Sequence, residues 1–347
     1  MRLAAVTVPL ISAVLLLSAT VHAAAAQVAP DLTPVPPLPP PPFELWLSEL
    51  RAEAAARGIR EEILDGALNG LTPVPQILER DRTQTEFVLD VDAYVKRRLT
   101  RETLRTAQRM YTKHRQVLQR VSKRYGVSGR VIIAVWGLES NFGRFAGARP
   151  TIPTLATLAY DPRRSAFFRQ ELFSALEILN RGDIELDRLK GSWAGALGQP
   201  QFMPSSYLRY AQDFDEDGRR DIWSSAPDIF ASVAYYLQQH GWKSGQSWGR
   251  EVRVPARARA AVDALPTRET GCRAKRLMSP PQRLSAWRKL GLRTTAGGPL
   301  PAADLAASLV PAGARHFLVY PNYEALLAYN CAHTYALAVA LLSDRIR

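Results

Sequence analysis

With 347 residues, 47% of them hydrophobic and 22% charged, the chain carries enough apolar surface for a large core, which excludes a disordered or fibrous protein. Two cysteines exclude a disulfide-built scaffold, and the lack of any CxxC or His/Cys cluster argues against a zinc site. The net charge of +13 suits an anionic partner, whether nucleic acid, acidic lipid or a wall polymer, or serves solubility alone.

The chain opens with Arg2, an apolar run from Val8 to Leu17 and a small-x-small site at Val21-His22-Ala23. Residues 1–23 read as a secretory signal peptide, since the run is short for a membrane span and lacks stop-transfer flanks. No cysteine follows it, so a periplasmic protein without a lipid anchor is expected. Export ranks nucleic acid last among the anionic partners. Residues 24–42, rich in Ala and Pro, read as a linker.

Phe43, Leu45, Trp46, Leu47 and Leu50 open an amphipathic helix that Gly58-Ile59 interrupts. Glu61 to Leu68 predicts a second helix, stopped by Asn69-Gly70, and Glu86 to Arg98 another. Thr100 is placed to cap a long helix through Arg124, ending at Tyr125-Gly126. Ser128 caps the next, Val131 to about Asn141, whose nearly continuous apolar residues predict burial on most sides. Further helices fit Ser165–Asn180, Pro204–Gln212 and Asp228–His240, whereas only Glu251–Val254 and His316–Tyr320 read as strands. The class is mainly α, with a small β-containing insertion at about 246–320. Cys272 and Cys331 either form one disulfide in an oxidising compartment or stay separate in the core.

Four stretches carry candidate chemistry. In V-W-G-L-E-S-N-F-G, Glu139 follows Ile132, Val135 and Trp136 on one helix face. Apolar neighbours and the negative helix end both predict a raised pKa, as a general acid needs. By composition alone the commoner case is a glutamate at the polar edge of a buried helix, or one paired with Arg144. The stretch Gly191 to Tyr207 mixes glycines, glutamines, serines and aromatics, which suits a sugar site or a structural loop equally. In D-F-D-E-D-G-R-R-D, Asp213, Asp215, Asp217 and Gly218 match the first half of an EF-hand loop. Position twelve is Ser224, and the next suitable carboxylate is Asp228. The alternative is an acidic turn capping the following helix. Finally, A-Y-N-C-A-H-T-Y places Tyr329, Asn330 and Tyr335 at the start of an apolar C-terminal helix, and a lone His333 there reads as structural.

In this order, over about residues 43–345, these stretches resemble the membrane-bound lytic transglycosylase B family of bacterial murein-degrading enzymes, glycoside hydrolase family 103. P-T-L-A-T-L-A-Y-D-P-R-R, S-V-A-Y-Y-L-Q-Q-H-G-W and E-F-V-L-D-V-D-A-Y-V-K-R-R-L also match. The resemblance implies a lysozyme-like helical catalytic core at 127–245, an N-terminal helical domain at 43–126, the small β-containing domain at 246–320, and a C-terminal helix, 321–347, returning to the core. It implies Glu139 as the single catalytic acid. Ser192, Gln201, Tyr94, Tyr236, Tyr329, Asn330 and Tyr335 fall on substrate-lining positions. Asp213, Asp215, Asp217, Arg219 (by its carbonyl) and Asp228 fall on a calcium loop, here with one residue inserted before Asp228. Tyr235 stands where Asn is common, and Cys331-Ala332 where Arg-Ser is common.

The reaction so implied is non-hydrolytic cleavage of the MurNAc–GlcNAc bond of peptidoglycan. Glu139 acts as acid and then base, and the product carries a 1,6-anhydromuramoyl end. No cofactor is needed for this chemistry, and Ca2+ would be structural. The implied partners are glycan strands and cell-wall synthesis proteins, with no nucleic acid, and the chain is expected to be a monomer. A hydrolytic muramidase and a non-catalytic peptidoglycan-binding protein remain the competing readings.

Overall fold

The computed structural model describes residues 41–83 and 90–347. The signal peptide, nearly all of the linker and the first residues of the helix expected from Glu86 lie outside the described residues.

Six helices come first: α1 (Phe43–Ala56), α2 (Glu61–Leu68), α3 (Pro75–Thr83), α4 (Val91–Arg98), α5 (Arg101–Lys113) and α6 (Arg115–Tyr125). Next are α7 (Gly129–Ser140), β1 (Arg149–Pro150), α8 (Thr151–Tyr160), α9 (Ser165–Asn180), β2 (Lys190–Gly191), α10 (Pro204–Tyr210) and α11 (Ala226–Gln239). A sheet-containing region follows, with β3 (Gly249–Arg253), α12 (Ala256–Asp263), α13 (Arg273–Arg276), β4 (Gln282–Arg283), α14 (Leu284–Lys289), β5 (Arg293–Thr294), β6 (Ala306–Ala312) and β7 (Arg315–Val319). The chain closes with α15 (Pro321–Tyr329) and α16 (His333–Arg345).

Asp90 caps α4 by accepting from the Ala93 amide at 2.8 Å, and Thr100 caps α5 by accepting from Thr103 at 3.1 Å. The single long helix expected from Thr100 to Arg124 is instead two. His114, at φ −103° and ψ 17°, leaves the helical region between them. Its ring lies edge-on to Trp136 and Phe230, with centroids 5.9 and 5.2 Å away. The break lets each half turn its own buried residues inward: Thr106 and Ala107 on α5, Leu118 and Val121 on α6. Gly126 then ends α6 at φ 72°, where an added side chain would also strike Ser244.

In α7 every residue except Arg130 and Glu139 is buried, and the Ser128 hydroxyl caps the helix by accepting from Arg130 N at 3.3 Å. It packs against α5, α6, α11 and α16. One core gathers α4 to α7, α11, α15 and α16 around Ile132, Phe230 and Leu337. A second joins α1 to α3 with α8, α9 and α10 around Leu50, Leu64, Phe168 and Tyr207. The helices of residues 43–126 are thus shared between two cores.

The sheet runs β4-β6-β7-β3-β5, each neighbouring pair antiparallel. The strands expected at Glu251–Val254 and His316–Tyr320 are found as β3 and β7, displaced by one or two residues. Strand β6 was not expected. Five of its seven residues are buried, so it lacks the alternation that marks a one-sided strand. Cys272 and Cys331, which the sequence left undecided, form a disulfide with Cα atoms 6.3 Å apart. It closes a loop of sequence separation 59, for which chain entropy gives about 4 kcal/mol.

Candidate active site

Glu139 stands at the end of α7 because the chain reverses directly after it. Asn141 and Phe142 both adopt left-handed backbone, φ 50° and 57°, each costing on the order of 1 kcal/mol or more for residues with side chains. Packing offsets that cost. The Phe142 ring sits edge-on to Trp136 at 5.7 Å, over Gly137, where a Cβ would come within 2.5 Å of it. Ser140 Oγ donates to Trp136 O at 3.0 Å and accepts from Gly143 N at 3.1 Å, closing the turn.

The Glu139 residue is half-buried by surface, and protein groups crowd its carboxyl. Desolvation pushes its pKa from 4.5 up to about 7, against the opposing pull of the Tyr335 hydroxyl and the Arg98 charge. Arg98 is itself held by the Leu138 carbonyl, which accepts from its guanidinium. The Tyr335 hydroxyl is buried and completes no hydrogen bond of normal length. It lies near enough to bias the carboxyl without being a full partner to it. No second carboxylate acts on Glu139 among the described residues.

Three tyrosines from different elements close the site. Tyr236 on α11 donates to Ala328 O at 2.7 Å, and Tyr329 at the end of α15 donates to Pro200 O at 2.8 Å. Their rings are 4.7 Å apart, with Phe202 at 5.5 and 5.9 Å. Tyr335 stacks on Tyr329 at 6.4 Å. All three hydroxyls have raised pKa values, chiefly by burial; the Glu139 charge comes next for Tyr329 and Tyr335, and after Tyr210 for Tyr236, which reaches about 12. Tyr94 on α4 acts on Tyr335 in the same way. Three of the sequence-predicted lining residues therefore gather around Glu139, with Tyr94 beside Tyr335.

The other three are placed differently. Ser192 Oγ accepts from the Ala194 and Ala196 amides at 3.3 and 3.1 Å, organising its own loop. Gln201, in left-handed backbone at φ 54°, donates to Gly198 O at 2.8 Å. Asn330 is exposed in the break between α15 and α16. Sequence reasoning passed over Gln199. Its Oε1 accepts from Trp136 Nε1 at 2.7 Å, and its Nε2 donates to Trp223 O at 2.6 Å. It braces the wall beside Glu139 from a stretch about sixty residues away, a pairing no local pattern reveals. His333 is structural, as expected: Nδ1 meets Tyr323 OH at 2.9 Å and burial pushes its pKa down to about 4.

In the acidic loop, ligand oxygens of Asp213, Asp215 and Asp217 lie within 4.8 Å of one another, an all-carboxylate set of the kind calcium takes. Asp228 adjoins this group, feeling the Asp215 charge and taking a hydrogen bond from its backbone. It is fully buried, with one oxygen accepting from Phe214 N at 2.7 Å and the other from Asp221 N at 2.8 Å. Burial lifts its pKa to about 6. It braces the loop from within, while the Arg219 amide donates to Asp217 at 2.9 Å. A separate groove of about 670 Å³ runs along α5 past Arg105, Arg109 and Lys113, and its lining does not include Glu139.

A desolvated, protonatable carboxyl at a helix end, beside tyrosine rings on a mainly helical frame, is a site of the general-acid class. Residues 42–344 match the family described as Transglycosylase SLT domain, and the chain belongs to it. Its fold is that of the lysozyme-like lytic transglycosylases. It is similar to membrane-bound lytic murein transglycosylase B of Escherichia coli, 33% identical over 73% of this chain and 66% of that protein, just under two thirds of its length. Pseudomonas aeruginosa SltB3, solved with NAG-anhNAM-pentapeptide, is 41% identical with a TM-score of 0.79, over 87% of this chain and 78% of that one. The E. coli lytic transglycosylase Slt35, solved with calcium, is 26% identical with a TM-score of 0.72, over 88% and 92%.

Proposed function

We propose that this enzyme cleaves the β-1,4 bond between MurNAc and GlcNAc in peptidoglycan without water, leaving a 1,6-anhydromuramoyl end, with Glu139 as acid and then base. The observation that carries the reading is a carboxyl with a pKa near 7 and no second carboxylate acting on it among the described residues. Ordinary glycosidases need two carboxylates. Here the protonated Glu139 gives its proton to the glycosidic oxygen, and the C1–O bond breaks. The sugar's own acetamido group supports the cationic C1. The carboxylate then takes the proton of the C6 hydroxyl as O6 bonds to C1. Atoms balance with no water consumed, and Glu139 ends protonated as it began.

A pKa near 7 makes both halves accessible at neutral pH. The buried Tyr335 hydroxyl, already biasing the carboxyl, is placed to donate to the ionised carboxylate between the steps. Tyr94, Tyr236 and Tyr329 supply ring faces for sugars, and Ser192, Gln201 and Asn330 supply polar contacts. The SltB3 complex with NAG-anhNAM-pentapeptide supports the anhydro product class.

In this reading 127–245 with the returning 321–347 form the catalytic unit, 43–126 an N-terminal helical domain and 246–320 an accessory. Calcium, bound to the Slt35 structure, would be held here by Asp213, Asp215 and Asp217, with the Arg219 carbonyl, and would stiffen the loop that Asp228 braces. The enzyme acts in the periplasm as a monomer on glycan strands, and cell-wall synthesis proteins are further partners. The exposed row Arg101, Arg105, Arg109 and Lys113 on α5 faces this anionic polymer.

The test is digestion of purified peptidoglycan with product masses read directly. Wild type should release fragments one water lighter than reducing-end muropeptides, and Glu139→Gln should lose about a thousand-fold in rate. Wild-type-like activity in that variant sinks the assignment. Reducing ends in place of anhydro ends would establish a hydrolase, and binding without release a scaffold.

A further inference from the structure

Cys331 lies in the three-residue break between α15 and α16, where the two helices meet at 119°. Tyr329 ends the first helix and Tyr335 lies in the first turn of the second. Whatever fixes this corner fixes two of the rings around Glu139.

The corner is tied from outside the helical core. Cys331 is bonded to Cys272, which stands just before α13, and the Cys331 sulfur accepts from the Ala274 amide at 3.4 Å. Glu324, five residues before Tyr329, takes Arg268 at 3.0 Å and Lys275 at 3.2 Å. Arg268 also donates to Ser308 Oγ on β6 at 2.6 Å. One covalent and two ionic links thus join the sheet region to the corner. The ionic links grip α15 alone. Of the three, the disulfide acts on the break itself.

We propose that the Cys272–Cys331 disulfide is a positioning element for the transglycosylase reaction, holding Tyr329 and Tyr335 against Glu139, so that its reduction slows turnover while the enzyme stays folded. The inference rests on the role given to Glu139 above. A dithiol reductant supplies the two electrons: its thiols close to a disulfide, and Cys272 and Cys331 each gain a hydrogen. The ion pairs then still hold α15, and the Tyr323–His333 hydrogen bond still joins it to α16, but the break loses its covalent tie to the sheet region. Displaced rings admit water to the carboxyl, desolvation weakens, and the acid form is lost at lower pH.

Oxidised and reduced full-length enzyme are compared on peptidoglycan, with free thiols counted and fold followed by circular dichroism. Reduction should leave the native spectrum, lower kcat about five-fold or more, and change KM by less than about two-fold. The alkaline limb of the rate profile should move to lower pH, and reoxidation should restore every value. Cys272→Ser/Cys331→Ser should match the reduced enzyme and ignore reductant. Two free thiols with unchanged kcat and pH limb overturn the proposal. So does a lowered melting temperature with no change in either, or loss of the native spectrum in both reduced enzyme and variant, which makes the bond a structural staple only. An oxidised enzyme that yields no anhydro ends overturns the reading of Glu139 instead, and that failure is seen before reductant is added.

Discussion

Replacing Glu139 by Gln should stabilise the protein, and only above a definite pH. The enclosed carboxyl is held protonated up to about 7, against an ordinary value of 4.5. The folded state therefore binds this proton more tightly than the unfolded state does. Below about pH 4.5 both states carry it, and Glu139 costs nothing in stability. As pH rises through the window from 4.5 to about 7, the unfolded chain ionises first and native stability falls. Above that window the loss levels off at roughly 3 kcal/mol, taking 1.4 kcal/mol for each pKa unit. A neutral glutamine of the same shape carries no such penalty. Melting curves at about pH 4 and about pH 8.5 read the difference directly. The variant should match wild type at the lower pH and melt about 5 °C higher at the upper. Equal gains at both pH values, or none at the upper, would refute the argument that burial sets this carboxyl's affinity for its proton. The measurement needs no substrate, so it is independent of the cleavage assay.

Three further outcomes can be checked. Adding calcium should raise the melting temperature by a few degrees (roughly 1–2 kcal/mol), and Asp215→Asn/Asp217→Asn should abolish the effect; identical curves in calcium and chelator remove the loop as a cation site. Gln199→Ala should cost about 2 kcal/mol, because it strands the Trp136 indole N–H and the Trp223 carbonyl together, whereas Gln201→Ala should cost far less in a denaturant titration. Exchanging Arg101, Arg105, Arg109 and Lys113 for Gln should weaken sedimentation with peptidoglycan and flatten its salt dependence, and by removing like charges at i,i+4 spacing should stabilise α5 by about 1 kcal/mol; unchanged salt dependence refutes a role for that row.

Local signals are legible in the sequence. Ser128 and Thr100 cap the helices expected of them, since a cap is decided by a side chain and an amide two or three residues away. The apolar run before Glu139 predicted its burial and the direction of its pKa. Signals that depend on distant packing were not legible. His114 breaks a helix whose own pattern runs on, because the chain folds its ring against Trp136 and Phe230. Strand β6 is hidden by burial on both faces. Tyr94, Tyr236, Tyr329 and Tyr335 were grouped by the family resemblance rather than by any spacing, being spread over some 240 residues. Gln199 and the Cys272–Cys331 pairing had no local signature.

The sheet region has one more property. Gly249 on β3 pairs with Val319 on β7, and Tyr320 N donates to Trp248 O at 2.8 Å. The chain therefore enters and leaves the sheet side by side, through one pair of hydrogen-bonded strand ends. A segment whose ends are clasped in this way can lengthen, shorten or change its surface without pulling on the helices outside the clasp. Exposed turns between Gly249 and Val319 are the parts free to diverge in shape, whereas Arg268, Cys272, Lys275 and the buried Val310 and Phe317 are where such divergence is still felt by the helices around Glu139.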